Sequence, residues 1–320
     1  MPPRKPRVAD LFCGMGGFSR GAELAGGRMV LAADAWDKAL ESHGQNFRSC
    51  EQRRVDFASA ADRAALARDL AGKVDLVIGG PPCQQFSTIN NRRGGSDLPV
   101  RFMEVAVAAG PRDIVMEEVR QFKHEGDLAA VVAAAERGGY RVGHAVINAK
   151  NVGVPQSRAR FFLWATRDPS RDPQAEMDLL AAERRPEVPI KSIVWDPSYG
   201  EALLAKQTII DRVENRASFN FKSGIGYKQM DVDKPCPTVT RYFRKASSWY
   251  VFRDPAGAMR LFNADHGLAA QGYPRDWKIS GTKLDRDTQI GNSVPVKLGE
   301  AVLRAVLGRS TPARPRGRKP

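Results

Sequence analysis

Apolar and polar residues alternate along the chain as far as Ala165 in a way that predicts strands and helices in turn. Short apolar runs are typical of buried strands, and apolar residues at helical spacing indicate amphipathic helices. The predicted strands are 7–12, 29–33, 74–78, 113–116, 140–148 and 160–165, and the predicted helices are 18–25, 60–71, 102–109 and 128–137. Strands that alternate with helices predict an α/β fold with a mostly parallel, doubly wound sheet.

The pattern changes after Arg167, where the chain becomes polar, partly helical and rich in turn residues. Short β-like pieces at 191–195, 208–213 and 238–242 indicate a smaller, irregular, β-rich domain. Segment 289–307 predicts a loop and an apolar helix that pack back on the first domain. The predicted divisions are therefore a first domain at 1–167, a small domain at 168–283, a returning segment at 284–307 and a basic disordered tail at 308–320.

The composition adds a strong positive charge, with 50 Lys and Arg against 36 Asp and Glu and a formal net charge of +14. This surplus favours a polyanionic partner such as nucleic acid, because Lys and Arg replace the counterions of phosphates. The cysteines form no CxxC pair and the histidines are scattered, so neither a metal site nor a disulfide framework is expected. Reduced thiols fit an intracellular protein. The apolar runs are too short for a membrane helix, and the basic start lacks the apolar core of a secretory signal.

A glycine-rich turn, Asp10-Leu11-Phe12-Cys13-Gly14-Met15-Gly16-Gly17-Phe18, joins the first predicted strand to the first helix. Such glycines let the backbone approach a ligand at a helix N-terminus, although tight packing without a ligand gives the same pattern. Asp34 and Trp36 follow the second strand, and Asp56 and Phe57 follow a third segment. In a doubly wound sheet, ligands bind beyond the carboxyl ends of the strands. Carboxylates there accept hydrogen bonds from a ribose or an adenine amino group, and an indole stacks on adenine. Together these positions favour an adenosyl cofactor.

The most informative segment is Gly79-Gly80-Pro81-Pro82-Cys83-Gln84-Gln85-Phe86-Ser87, which follows the predicted strand 74–78. Its two prolines stiffen the approach to one cysteine at the same edge of the sheet. A thiolate is the strongest common side-chain nucleophile near neutral pH. The segment therefore predicts a nucleophilic cysteine rather than a buried structural one.

With these segments, the chain resembles the DNA cytosine-C5 methyltransferase family of the bacterial and phage modification type. The glycine-rich turn resembles the family's cofactor loop, and Pro81-Pro82-Cys83-Gln84 resembles its nucleophile loop. Five more blocks follow in the family's order: Glu117-Glu118-Val119, Gln156-Ser157-Arg158-Ala159-Arg160, Lys234-Pro235-Cys236-Pro237-Thr238-Val239-Thr240-Arg241, Gln271-Gly272-Tyr273-Pro274 and Gln289-Ile290-Gly291-Asn292-Ser293-Val294-Pro295. The resemblance implies a Rossmann-like, S-adenosylmethionine-dependent methyltransferase domain at 1–167 and a target-recognition domain at 168–283.

The resemblance also implies methyl transfer from S-adenosylmethionine to carbon 5 of cytosine in DNA, with S-adenosylhomocysteine as the product. Addition of the Cys83 thiolate to C6 breaks the aromaticity of the ring and makes C5 enamine-like. Glu117 is expected to hold N3 and the exocyclic amine, Arg160 the base O2, and Arg158 the nucleophile and its loop. The target base has to be flipped out of the duplex. The resemblance implies that loop 84–97 then closes over the DNA.

The site residues that the resemblance implies fall into two further groups. The cofactor-binding group is Phe12, Gly14, Met15, Gly16, Gly17, Phe18, Asp34, Trp36, Asp56, Phe57, Pro82, Leu98, Asn292 and Val294. The DNA-binding group is Gln85, Ser87, Asn90, Arg92, Arg93, Arg241, Tyr242 and Arg244. Basic and aromatic residues are interleaved from 219 to 249, which fits phosphate and base contacts. Core aromatics with a solvated charged face give the same pattern.

Two positions depart from the family pattern. Glu118 stands where the family has Asn, which removes an amide donor and places a second carboxylate beside Glu117. If both carboxylates face the pocket, their repulsion raises the pKa of one of them. Alternatively, loss of the amide donor misplaces the nucleophile loop, or the site has diverged in its chemistry. Ala35 precedes Trp36 where the family often has Glu, which leaves Asp34 as the nearest acid for the ribose.

The expected substrate is double-stranded DNA, bound by a monomer inside the cell on the nucleoid, with a cognate restriction endonuclease as a partner. One alternative is methylation of cytosine in tRNA, although the chain lacks the Cys-Phe-Thr triplet of the related branch that does this. Another is a homologue with impaired or altered chemistry, for which Glu118 is the argument.

Overall fold

The computed structural model describes residues 4–82, 97–124, 126–214, 228–244 and 250–308. Eight strands belong to the first part of the chain: β1 (Arg7–Leu11), β2 (Arg28–Asp34), β3 (Glu51–Arg54), β4 (Leu76–Gly79), β5 (Asp113–Val119), β6 (Arg141–Asn148), β7 (Gln156–Ser157) and β8 (Ala159–Thr166). Seven of them form one sheet in the order β3-β2-β1-β4-β5-β8-β6. Strand β8 is antiparallel to both of its neighbours, and the other pairs are parallel. The predicted doubly wound α/β architecture is confirmed.

Helices cover both faces of this sheet and bury its apolar strands. The helices are α1 (Gly17–Leu24), α2 (Asp37–Asn46), α3 (Ala60–Leu70), α4 (Leu98–Ala109), α5 (Gly126–Arg137), α6 (Pro173–Ala182), α7 (Lys191–Val194), α8 (Gln207–Glu214), α9 (Ala264–Ala270), α10 (Lys283–Asn292) and α11 (Val296–Val306). Helices α3, α4 and α5 pack side by side against one core, and α1, α6 and α11 pack against the other. Since α6 lies on β6 and beside α11, residues beyond Arg167 contribute to the layer around the main sheet.

The local sequence explains where the central helices begin and end. Helix α4 has Pro99 in its first turn, where a missing N–H costs nothing, and it stops at Gly110 with φ 68°. Helix α3 is capped by Ser59, whose hydroxyl accepts from the backbone N–H of Asp62. Helix α2, between β2 and β3, was not predicted because its sequence is largely polar.

A second, smaller region carries short strands and its own core. Strands β9 (Lys228–Gln229), β11 (Tyr250–Arg253) and β12 (Met259–Leu261) form a three-stranded sheet, and β10 (Cys236–Pro237) pairs with β7. The predicted small β-rich region is therefore present, and three of its predicted strands are wrong. Segments 191–195 and 208–213 form the helices α7 and α8, and 238–242 is loop and turn.

The error in these segments has a physical cause. The β-branched residues of 191–195 and 208–213 favour strands, but the apolar positions in and next to these two segments have the helical spacing i, i+3, i+4. Ile190, Ile193 and Val194 enter the core of the small region on one helical face. In α8, Ile209 and Val213 pack against the sheet of β11 and β12. The proposed boundaries between domains remain a prediction.

Candidate active site

The carboxyl ends of β1, β2, β4 and β5 meet at one edge of the sheet, because these strands are parallel. Strand β8 runs the opposite way and therefore starts at this edge. Glu117 near the end of β5 and Arg160 near the start of β8 are thus brought together from distant parts of the sequence. In the strand register, Arg160 is opposite Val119, so Glu117 and Arg160 are diagonal neighbours on one face.

Glu117 and Arg160 form an ion pair, with 2.9 Å between Arg160 Nε and Glu117 Oε1. Their side chains are only 11% and 15% exposed, so solvent screens the pair weakly. Burial raises the pKa of Glu117 above its usual range, and the Arg160 and Arg158 cations oppose this. The pair offers a carboxyl that holds a proton more readily than usual, beside a fixed guanidinium.

Glu118 points to the other face of β5. Successive strand residues alternate between faces, and Ile114 and Met116, which share its parity, belong to the core under α4. Its Oε2 accepts a hydrogen bond from the backbone N–H of Val119 at 2.8 Å. The pKa of Glu117 rises through burial and not through Glu118. The condition for repulsion between the two carboxylates, that both face one pocket, is therefore not met.

The first part of the nucleophile segment lies next to Glu117 in space. A Cβ placed on Gly80 would lie 3.0 Å from Glu117 Oε2, a tight contact that shows how closely this segment approaches the carboxylate. Pro82 is exposed at the end of the described stretch. Cys83 follows Pro82 in the sequence and lies outside the described residues, as do Gln85, Ser87, Asn90, Arg92 and Arg93.

Arg158 is 2% exposed and connects the two regions of the molecule. Its Nη1 donates to the carbonyl of Val239 at 2.8 Å, and its Nη2 donates to the carbonyl of Gly291 at 2.9 Å. Burial lowers the pKa of Arg158, with the Arg160 cation adding to the effect, while Glu117 opposes it. The two carbonyls stabilise the charged form.

A buried polar network surrounds Arg158. The side chain of Gln156 donates to the carbonyl of Ala270 and to Oε1 of Gln271, and accepts from the N–H of Val239 at 2.9 Å. Gln271 in turn donates to the carbonyl of Ile290 at 2.7 Å. The blocks that are far apart in sequence thus meet through side-chain bonds to backbone, which fixes the small region against the sheet.

The glycine-rich turn is built by left-handed backbone and by one acid. Phe12, Gly14 and Gly16 have φ of 65°, 55° and 95°. Asp34 accepts from the N–H of Gly14 at 2.9 Å through Oδ2 and from the N–H of Trp36 at 3.0 Å through Oδ1. Asp34 therefore ties the ends of β1 and β2 together, in addition to its predicted place near a ribose.

The returning segment closes the turn from the other side. A Cβ on Gly17 would lie 2.3 Å from Ser293 Oγ and 2.3 Å from the Val294 carbonyl oxygen, so this position has to be glycine. Val294 is buried in the core next to α1, and Asn292 is exposed at the end of α10.

The turn fits an adenosyl cofactor. A Cβ on Gly14 would meet no atom within 4 Å, which leaves open space above the backbone. Trp36, which is half-buried, and Asp56, which is exposed, follow β2 and β3 at the same edge of the sheet. Phe57 stacks on Phe12 with 3.9 Å between ring centroids and forms a flat apolar floor.

Three further predicted cofactor residues place their side chains in or against a core. Phe18 lies edge-on to Phe162 in the core, and Met15 is buried in the core of the small region. Leu98, at the start of α4, packs on the main core. Their side chains therefore hold the backbone in place.

The sequence model of the family described as C-5 cytosine-specific DNA methylase matches residues 6–308. The chain belongs to this family. As a member it is a DNA cytosine-5 methyltransferase that uses S-adenosylmethionine as methyl donor.

Relatives and solved structures agree with this assignment. The chain is 30% identical to the Type II methyltransferase M.HindV of Haemophilus influenzae, over 94% of this chain and 96% of that protein. It is 29% identical to the Type II methyltransferase M.HgiDI of Herpetosiphon aurantiacus, over 91% of each. The crystal structure of the S. pombe Dnmt2 methyltransferase has the same fold, with a TM-score of 0.73, 18% identity, and 95% of this chain and 99% of that one covered.

The predicted DNA-binding residues that the structure describes differ in how strongly they are engaged within the protein. The Arg241 guanidinium lies 4.6 Å from the centroid of the Tyr242 ring, and both side chains are partly exposed. Arg244 instead forms an ion pair with the buried Asp287. Part of its charge is therefore used within the protein.

Two features of this methylase were missed by sequence reasoning. Arg120 directly follows β5, is exposed, and forms no ion pair within the part of the chain that the structure describes. Asp10, Ser19 and His43 form a buried polar chain under the glycine-rich turn. A cation directly after Glu117-Glu118-Val119 was visible in the sequence; the pairing of Ser19 and His43 was not.

Two negative findings apply to the described residues. They contain no group of three or more His, Cys, Asp or Glu side chains placed to hold a metal ion. None of the helices they form has the length and apolar character needed to span a bilayer.

Proposed function

We propose that this methylase flips a cytosine out of a short, specific duplex sequence and attacks its C6 with Cys83. The observation that carries the proposal is the buried Glu117–Arg160 ion pair. The pair lies beside Gly80, which precedes Cys83 by three residues in the nucleophile segment. A carboxyl and a guanidinium held on adjacent strands match the hydrogen-bonding atoms along the Watson–Crick edge of a flipped cytosine.

Glu117 is suited to the N3 edge of the base. Its raised pKa favours the protonated carboxyl, which donates to N3 as negative charge develops on the ring. The second carboxyl oxygen accepts from the exocyclic amine. Arg160 then holds O2, and its ion pair with Glu117 keeps both groups in register before the base arrives.

Cys83 adds as a thiolate to C6, and the electrons of the C5–C6 bond move towards C5 and the ring. S-adenosylmethionine supplies, when bound, the electrophilic methyl group that C5 takes up. Loss of the C5 proton then expels the thiolate and restores the aromatic ring. Arg158, whose Nε has no hydrogen-bond partner among the described residues, is the positioning residue for the nucleophile segment.

The domain roles follow from this site. We propose residues 1–167 as the catalytic, cofactor-binding domain, 168–283 as the target-recognition domain and 284–307 as the segment that returns to complete the cofactor turn. The relatives named above are Type II methyltransferases. We therefore propose a modification enzyme that acts as a monomer on double-stranded DNA of the nucleoid and has a cognate restriction endonuclease.

The test is covalent trapping on a duplex library containing 5-fluorocytosine, where the fluorine cannot leave as a proton does. Wild type is expected to form an adduct that survives denaturation, Cys83→Ser none, and the control Cys50→Ala, which removes a thiol outside the site, the full amount. Bisulfite sequencing of DNA from expressing cells then reports the target sequence.

Two results would contradict the proposal. An adduct formed by Cys83→Ser would exclude Cys83 as the nucleophile. Labelled methyl transfer into tRNA but not into duplex DNA would assign the enzyme to RNA.

A further inference from the structure

Three buried polar side chains beneath the glycine-rich turn take no part in the chemistry proposed above. Asp10 lies in β1, Ser19 in the first turn of α1 and His43 in α2, and none is more than 1% exposed. Asp10 Oδ2 lies 2.6 Å from Ser19 Oγ, which lies 2.9 Å from His43 Nε2. Asp10 has no Lys or Arg partner among the described residues, and a buried carboxylate without a cation is costly.

The series of hydrogen-bonded side chains from Asp10 to His43 ends directly under the glycine-rich turn. A Cβ on Gly16 would lie 3.1 Å from His43 Cδ2 and 2.5 Å from Phe47 Cε2. Phe47 stacks on His43 with 4.3 Å between the centroids. The imidazole ring is therefore part of the surface on which Gly16, with its left-handed backbone, rests.

The tautomer of His43 follows from its second nitrogen. Burial lowers the pKa of His43 to about 3, so the ring is neutral and carries one proton. Nδ1 of His43 and Oε1 of Gln52 are buried, and neither forms a hydrogen bond among the described residues. The Gln52 side chain lies beside the ring, and its Nε2 donates to the Cys50 carbonyl. A proton on Nδ1 places a donor near the side chain that carries the unpartnered acceptor Oε1, whereas a lone pair there would place a second acceptor near it.

With the proton on Nδ1, Nε2 has to accept from the Ser19 hydroxyl. That hydroxyl has a single proton, so the short contact between Ser19 and Asp10 needs a proton from Asp10. If Asp10 is ionised instead, Ser19 donates to Asp10 and His43 Nε2 donates to Ser19. The Nδ1 lone pair then lies beside the Gln52 carbonyl oxygen, and the two acceptors repel.

We propose that Asp10 is a positioning residue for cofactor binding and works as a neutral donor that begins a hydrogen-bond chain through Ser19 to His43. The hydrogen-bond chain fixes the imidazole ring under Gly16 and thereby the position of the turn backbone. This inference rests on the proposed role of the turn as the cofactor loop.

The electrostatics of the cluster agree with a neutral Asp10. Burial raises the pKa of Asp10 to about 7; the hydroxyl and N–H of Ser19 lower it, and Asp34 raises it. The other titratable groups that face Asp10 are Cys13, Cys50, His43 and Tyr273. Burial raises the pKa of both thiols and of the phenol and lowers that of the imidazole, so all four groups are neutral and none supplies a cation to an ionised Asp10.

The sign of the pH dependence follows. Because the pKa of Asp10 is raised in the folded protein, its contribution to stability is present at low pH and is lost as the pH rises towards about 7. Above that pH the carboxylate forms, the chain loses its donor and the turn loses its support. The affinity for S-adenosylmethionine is expected to fall roughly tenfold for each further pH unit.

The decisive variant is Asp10→Asn, because an amide donates to Ser19 as a neutral carboxyl does. Calorimetric titration with S-adenosylmethionine is expected to give wild-type affinity for this variant below pH 7 and the same affinity above it. Wild type weakens over that range, and Ser19→Ala is weak throughout. Affinity lost by Asp10→Asn below pH 7, or a wild-type affinity that does not change with pH, overturns the proposal.

Two measurements separate this inference from the proposed function. The carbonyl stretch of a protonated carboxylic acid, assigned with isotope-labelled aspartate in the wild-type protein, is expected to disappear as the pH rises through neutrality; its absence at lower pH excludes a neutral Asp10 even if the variants do not fold. A difference in Tm between Asp10→Asn and wild type that grows with pH, without any change in cofactor affinity, leaves the neutral state standing and removes its role in cofactor binding. Neither outcome depends on Cys83, so failure of the 5-fluorocytosine test is a separate result.

Discussion

Arg160 Nε lies 2.9 Å from Glu117 Oε1, across the antiparallel pair of β5 and β8. The two residues are far apart in sequence, and the reversed strand β8 is what brings them to one face. A carboxylate and a guanidinium that are already paired and mostly buried need little reorganisation when a base enters between them.

Breaking this pair on one side is expected to harm folding as well as activity. Arg160→Met leaves the Glu117 carboxylate buried without a cation, which costs about 3 kcal/mol in the free energy of unfolding. Glu117→Gln costs less, and the double variant recovers part of the loss. Urea denaturation of the four proteins measures the coupling. Additive losses would show that the pair contributes nothing to stability.

The activity is expected to depend on the protonation of Glu117. Because burial raises its pKa, the protonated form persists to higher pH, and kcat/KM falls as the pH rises through that raised value. Glu117→Gln is expected to lose about 100-fold in kcat and to lack this alkaline limb. Glu104→Gln, which removes an exposed carboxylate on α4, is the control and keeps the wild-type profile. The same limb in both variants would assign it to another group.

Arg120 is expected to bind a DNA phosphate. It is exposed at the same edge of the sheet as Glu117 and forms no ion pair within the described part of the chain. Arg120→Ala is expected to weaken DNA binding and to reduce the slope of log K against log salt by about 1. Arg137→Ala, at the far end of α5, removes an equal charge from the opposite edge and keeps the slope. Equal slopes for both variants would contradict the contact.

The junction around Arg158 is expected to be sensitive at Gly291. A Cβ there would lie 2.1 Å from the backbone nitrogen of Arg241, and no side chain is available to move away. Gly291→Ala is expected to lower the free energy of unfolding by about 3 kcal/mol through overpacking. Gly44→Ala, whose Cβ would lie 3.2 Å from a Gln52 side-chain atom, is the matched helical control. Thermal unfolding of both variants measures the difference, and equal Tm values would refute the close contact.

Glu118 is expected to affect rate rather than fold. Glu118 is buried near the carboxyl end of β5, which pairs with β4, the strand that leads into the nucleophile segment. Glu118→Asn restores the amide donor of the family pattern at this position. The turnover number is expected to rise, with Tm little changed, and Glu118→Gln is expected to give a smaller increase because its amide is one carbon further out. An unchanged turnover in both variants would remove Glu118 from the account of activity.

Much of the main sheet was predictable because its strands are short, apolar and separated by helices of clear period. The turn at Gly14 and the segment leading to Cys83 were predictable for a different reason, since the residues that carry their chemistry are contiguous. The β-branched residues of 208–213 favour a strand, but the segment forms helix α8, which agrees with the helical spacing of Ile209 and Val213.

Contacts between distant segments were beyond sequence reasoning. Nothing in the local sequence of Arg158 says that it binds the carbonyls of Val239 and Gly291. Likewise, alternation along β5 turns Glu118 away from Glu117, but the expectation of a shared pocket treated neighbours in sequence as neighbours in space. The register of β5 and β8, which selects Arg160 as the partner, depends on the pairing of the whole sheet.

The contact of Gly17 with Ser293 and Val294 has a consequence for synthesis of the protein. The ribosome makes the turn long before the segment that covers it. A nascent chain therefore carries an incomplete glycine-rich turn until residues 293 and 294 have left the ribosome and folded back on it. Closure of the turn thus has to wait for the synthesis of the returning segment.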